Sequence, residues 1–187
     1  MESRGANLGL RVLIAALFLA PWKAFAASPA DDVVVDVDAC TLFADTASFH
    51  RKLVRVTGLV ARDFETFWIE GIRCSDNARP LWIEYGGPKP VDGPKWYGDL
   101  EHPPDGHSPL WIGGMRMSLE SDAKLRRFES VTKSLRLGHK ARATVVGRVF
   151  AMGTYEDETG KTQEIGYGPY GMYGLFVIQK VEKVSRR

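Results

Sequence analysis

Three β-type segments, a long helix-type segment and two further β-type segments follow one another along the chain. That order predicts a mainly β fold with α. Its form is an OB-fold-like five-stranded barrel with a helix between strands three and four, preceded by an extra N-terminal helix. Glycines inside the first and fourth strands (Gly58 and Gly147) support the assignment, since sharply bent barrel strands admit glycine where flat ones do not.

Asp38 to Lys52 reads as the extra helix, with Asp38 as cap and Leu42, Phe43, Ala47 and Phe49 as a loose apolar stripe. Strand one is Leu53–Val60, rich in β-branched residues. Glu65–Ile72 and Leu81–Tyr85 read as strands two and three. Residues 86–117 form a long inserted loop, broken by Gly86-Gly87-Pro88-Lys89-Pro90 and His102-Pro103-Pro104-Asp105-Gly106. Loops of this length in compact domains are often either functional or mobile, and Trp96, Tyr97 and Trp111 argue against pure disorder. Ser118–Leu137 is the barrel helix: Leu125, Phe128, Val131 or Thr132, and Leu135 recur at helical spacing, and Gly138 stops it. Lys140–Met152 is strand four, Thr154–Gly174 a polar and tyrosine-glycine connection, and Leu175–Val184 the closing strand.

The N-terminal end carries a different signal. Arg4 and Arg11 give a positive start before the uninterrupted apolar run Val12–Ala20, Pro21 ends it, and Ala24-Phe25-Ala26 offers a small-x-small cleavage pattern. The run is shorter than the ~20 residues of a membrane-crossing helix. Residues 1–26 are therefore expected to be a signal peptide, and residues 27–187 one domain that works outside the cytoplasm, in the periplasm or secreted. Loss of Arg4, Arg11, Lys23 and Glu2 leaves 22 basic and 22 acidic residues, a net charge of zero. A neutral domain lacks general attraction for phosphate backbones, which weighs against nucleic acid as a partner. Cys40 and Cys74 both lie in the mature part, and an even count in an exported chain predicts a disulfide. Zinc is the rival reading, disfavoured because no CxxC spacing is present.

The segments Cys40…Leu42…Phe49-His50-Arg51-Lys52-Leu53-Val54-Arg55-Val56-Thr57-Gly58, then Cys74 and Leu81-Trp82-Ile83-Glu84-Tyr85, resemble a group of small exported bacterial proteins. Val145-Val146-Gly147-Arg148, Gly166-Tyr167-Gly168 and Leu175-Phe176-Val177-Ile178 resemble that group's closing segment. The resemblance implies an OB-like barrel and a bacterial origin. The group is an uncharacterised family, so it implies no activity.

Candidate contact residues come from an echo, Trp68-Ile69-Glu70 and Trp82-Ile83-Glu84. Side chains alternate along a strand, so with Phe67, Ile69, Leu81, Ile83 and Tyr85 inside the barrel, Trp68, Glu70, Trp82 and Glu84 point outward. That is the face on which OB-folds bind oligonucleotides and oligosaccharides. Indoles that stack beside carboxylates that accept hydrogen bonds suit a saccharide, a cell-wall fragment or a cationic peptide better than a phosphate backbone. Tyr167 and Tyr170, in the tyrosine-glycine stretch between strands four and five, would flank the same cleft. Burial of the tryptophans under the long loop is the competing reading.

No catalytic or metal-ligating constellation stands out: GxSxG, HExxH, a P-loop and a zinc quartet are all missing. His102 and His107, five apart in the long loop, match no ligand signature, and His50 and His139 stand singly. Asp31, Asp32, Asp36 and Asp38 read as a solvated leader. Glu120 to Arg148 holds eight basic and three acidic residues, scattered as on a solvated helix face. No cofactor is expected. The reading is an exported binding or structural module of the cell envelope. An envelope hydrolase with a site built across the long loop, or a pure protein-interaction module, is the alternative.

Overall fold

The computed structural model describes residues 33–62, 66–75, 78–87, 100–101, 110–168 and 171–186. The expected signal peptide, His102, His107, Trp96, Tyr97 and Tyr170 lie outside the described residues.

In chain order the elements are β1 (Val35–Asp36), α1 (Ala39–Ala44), β2 (Leu53–Arg62), β3 (Phe67–Glu70), β4 (Leu81–Tyr85), β5 (Leu100–Glu101), β6 (Trp111–Ile112) and β7 (Met115–Arg116). They continue with α2 (Ala123–Lys133), β8 (Lys140–Phe150), β9 (Gly153–Glu156), β10 (Thr162–Ile165) and β11 (Gly174–Arg186). Strands β2, β3, β4, β11 and β8 neighbour one another in that order, and β8 returns to pair with β2. The ring is closed, a mixed five-stranded barrel of OB type. All its pairs are antiparallel except β4 with β11. Closure removes the open strand edges that would otherwise invite association.

Alternation fills the interior as predicted. Phe67, Ile69, Leu81, Ile83 and Tyr85 all join the main core with Val54, Val56 and Phe176. Helix α2 closes this core with Leu125, Phe128 and Val131, its buried stripe. Where β8 meets β11 the wall is tight: a Cβ on Gly147 would lie 2.4 Å from both the Phe176 ring and the Val177 carbonyl oxygen. Glycine there lets the Phe176 ring lie against bare backbone.

Caps set the helix starts. The Asp38 carboxylate accepts from the backbone N–H of Cys40 and Thr41, and Asp122 accepts from that of Leu125. Both helices are shorter than their sequence pattern predicts. The first is α1 followed by a 3₁₀ turn, Thr46–Phe49, because the Asp45 side chain turns back to accept from Ser48 and starts a new turn. Ahead of α2 the chain is extended, with Glu120 N–H donating to Gln179 O, so the helix waits for the Asp122 cap.

Two expected loops hold strands. The 86–117 insertion contains a three-stranded sheet in the order β5-β6-β7. The connection after β8 contains the hairpin β9–β10, missed because it has no apolar alternation to read: all four β10 residues are exposed. Its turn is organised by Asp157, whose carboxylate is held down to about 2 by hydrogen bonds from the Thr159 and Gln163 side chains and the Lys161 backbone. Cys40 and Cys74 form a disulfide that ties α1 to the segment leaving β3. Among the described residues no helix is long and apolar enough to cross a membrane.

Candidate functional site

Both copies of the Trp-x-Glu echo make the same local bond. Residues two apart on a strand share a face, and each indole Nε1–H donates to the following carboxylate: Trp68 to Glu70 at 3.2 Å, Trp82 to Glu84 at 3.0 Å. Trp68 also sits directly opposite Trp82 across β3 and β4. The two pairs then diverge. Trp68 and Glu70 are half-buried, and Glu70 is ion-paired with Lys140 of β8.

Trp82 is only 4 % exposed, and Glu84 only 8 %. Both face outward from the barrel, as alternation requires, but not toward water. Trp82, Phe150, Leu175 and Val177 form a second core on the outer surface, capped by Leu110, Ile112 and Met117. The reason is the strap Leu110–Met117, which contains β6 and β7 and folds back over this face. Trp82 and Glu84, expected as ligand contacts, are nearly inaccessible in this structure. Trp68 and Glu70 retain partial access.

The tyrosine-glycine connection closes the other flank. Tyr167 and Tyr173 bridge through reciprocal backbone hydrogen bonds of 2.7 and 3.1 Å, and the Tyr173 ring centroid lies 6.2 Å from that of Trp82. Gly168, at φ +70°, lies so close to the Trp82 ring that a Cβ would stand 2.6 Å from it. Gly168→Ala is therefore predicted to strain the backbone and strike Trp82, lowering stability by about 1–3 kcal/mol in a urea titration. A change below a few tenths would show that this connection does not seal the indole. Half-buried Tyr167 packs at the edge of the second core, so its ring contributes to that seal.

An open groove lies immediately beyond the seal. Arg79, Pro80, Met152, Glu164, Met172 and Tyr173 line about 550 Å³ at the entrance to β4. A smaller recess of about 310 Å³ continues it past Asp45–Ala47, sharing Arg79, Pro80, Met152 and Glu164. Arg79 and Glu164 pair at 3.2 Å where the two parts meet, each well exposed at 67 % and 62 %. Met172 stands 60 % exposed at the rim. Sequence reading missed this set because its members come from four separated segments, none with a recognisable spacing. The one available signal was Met172 beside the tyrosine-glycine stretch.

A separate recess of about 520 Å³ runs along β1, lined by Asp36, Asp38, Arg55, Thr57 and Arg142 among others. Several of its polar groups are already engaged. Arg55 reaches Asp36 at 2.8 Å and Glu182 at 3.0 Å, and the Thr57 and Thr144 hydroxyls are 2.8 Å apart. Among the described residues no group of three or more His, Cys, Asp and Glu side chains is placed to hold a metal ion.

The fold and these surfaces define the chain as a disulfide-bonded OB-type barrel. Its outer face is sealed by a strap of its own chain. Comparison with known proteins found no matching family model, no matching curated protein and no matching solved structure.

Proposed function

We propose that the chain is an exported binding module of the bacterial cell envelope, and that the groove between Arg79 and Tyr173 takes an extended segment of peptide or saccharide. The observation that carries this reading is the groove itself. An open, two-part channel is lined by Pro80, Met152, Met172 and Tyr173 and crossed by one exposed ion pair. Thioether side chains re-pack around different partners, which favours varied peptide side chains over the hydroxyl-covered rings of a sugar. Arg79 and Glu164 supply a donor and an acceptor for a ligand backbone. Trp68 and Glu70, still partly accessible on β3, extend the contact surface if the ligand runs toward the barrel. The apolar run and cleavage pattern read in residues 1–26, together with the disulfide, fit an exported chain in an oxidising compartment.

The test is a titration of the oxidised protein from residue 27 onward with a panel of peptides and cell-wall glycan fragments, followed by amide chemical shifts. Shifts clustered on Arg79, Met152, Glu164 and Met172, weakened roughly tenfold by an Arg79→Ala, Met172→Ala double change, support the groove. Shifts confined to the recess by Asp36, or none at millimolar ligand across the panel, contradict it. Turnover of a glycan during the titration would favour the hydrolase reading instead.

A further inference from the structure

The strap over the outer face poses a question separate from the groove. Beneath it lies the Glu84 carboxyl, among apolar side chains and, across Val177, the buried Arg148. Glu84 stands in register with Val177 of β11, on the same face as Trp82, and both of those residues belong to the second core. Among the described residues the carboxyl has one hydrogen-bond donor, the Trp82 indole.

The strap is fastened at few points. Gly87 N–H donates to Met117 O at 2.8 Å, Leu110 N–H to Gly87 O at 3.2 Å, and the Arg51 guanidinium to Gly113 O at 3.3 Å. Among the described residues its remaining hold is one weak bond, Gln179 Nε2–H donating to Met117 Sδ at 3.6 Å, and the apolar contacts of Leu110, Ile112 and Met117 with the barrel. We infer that the strap Leu110–Met117 is a pH-released cover, held closed over the barrel while Glu84 beneath it is protonated and loosened when Glu84 ionises.

The physical reason is desolvation. A carboxylate sealed under apolar side chains loses its water and recovers only one hydrogen bond, so the charged form favours any state that readmits solvent. Burial pushes the Glu84 carboxyl up to about 7, against a partial lowering by the Trp82 bond. The raised value fixes the direction. The closed strap is fully favoured below the ordinary carboxyl range and loses its advantage as pH rises through about 7.

The neighbouring charges do not change that sign. Arg148 of β8 lies on the same face with Val177 between it and Glu84, and donates to the Arg51 carbonyl. Arg51 itself holds the strap at Gly113, and Arg116 on the strap is exposed. Glu120 and Lys180 pair with each other at 2.8 Å near the strap's exit. His50 packs against Phe150 at the far edge of the second core. Burial and Arg51 hold its imidazole below the usual range. The Tyr85 ring, next in sequence, joins the interior core instead.

Amide hydrogen exchange on the oxidised protein tests the inference, read at Leu110, Ile112 and Met117 after correction for intrinsic base catalysis. Taking the carboxyl as about 4.5 when the strap is open and about 7 when closed, strap opening rises roughly 70-fold between pH 5 and pH 8. Amides of β8 should not follow. Glu84→Gln should flatten the rise. An independent readout, the carbon chemical shift of the Glu84 side chain in the unmodified protein, should titrate near 7. Corrected strap protection that does not change with pH, an equal change in the glutamine variant, or a Glu84 titration below 5 would each overturn the proposal.

Discussion

Replacing Phe176 by alanine is expected to lower the stability of the barrel by about 3–5 kcal/mol, the cost of a large cavity in a closed core. Phe176 is fully buried on β11, and its ring lies against Gly147 of β8, where no side chain stands ready to move into the void. The barrel wall is hydrogen-bonded on both sides of β11, so backbone collapse is also resisted. Urea unfolding should show a lower midpoint with little change in slope, since the surface exposed on unfolding is nearly the same. Phe176→Leu, which keeps most of the volume, should cost less than ~1.5 kcal/mol. Similar losses for both variants would show that the ring is not packed as described.

Removing the crosslink is the second large effect. Cys40 and Cys74 are 34 residues apart, and a loop of that length contributes about 3–4 kcal/mol through chain entropy. The contribution matters locally as well. Helix α1 has six residues, far fewer than the ~12 an isolated helix needs in water, so its place depends on Leu42 and Phe43 in the core and on the bridge. A Cys40→Ser, Cys74→Ser double variant should lose roughly 6–16 °C in Tm at this chain length. Exchange at α1 amides should rise before that of β2. A loss under 1 kcal/mol would mean that α1 is held by packing alone.

The legible part of this fold was the part governed by local periodicity. Phe67, Ile69, Leu81 and Ile83 alternate with Trp68, Glu70, Trp82 and Glu84, and that pattern alone separates the inside of the barrel from its outside. Asp38 and the leucine, phenylalanine and valine spacing of α2 were equally readable, because a cap and an amphipathic stripe are local properties. What alternation cannot say is whether an outward face meets water. Trp82 and Glu84 are covered by Leu110, Ile112 and Met117, about thirty residues later in a segment whose strands are two residues long, too short for any period to show. The groove was illegible for a related reason. Arg79, Met152, Glu164 and Met172 converge only after the barrel has closed and the β9–β10 hairpin has folded back toward β4.

The covered face decides where a ligand can bind, because the cover moves the accessible surface from the tryptophan pair to the groove. Exchange of the tryptophan indole protons, assigned with a Trp82→Phe variant and followed by NMR at pH 6, tests it directly. Trp82 Nε1–H, bonded to Glu84 in a nearly inaccessible position, should exchange orders of magnitude more slowly than that of Trp111, which is 39 % exposed on the strap. If the two indoles exchange at comparable rates, the strap does not seal the barrel, and the outward tryptophan face returns as the place to look for a ligand.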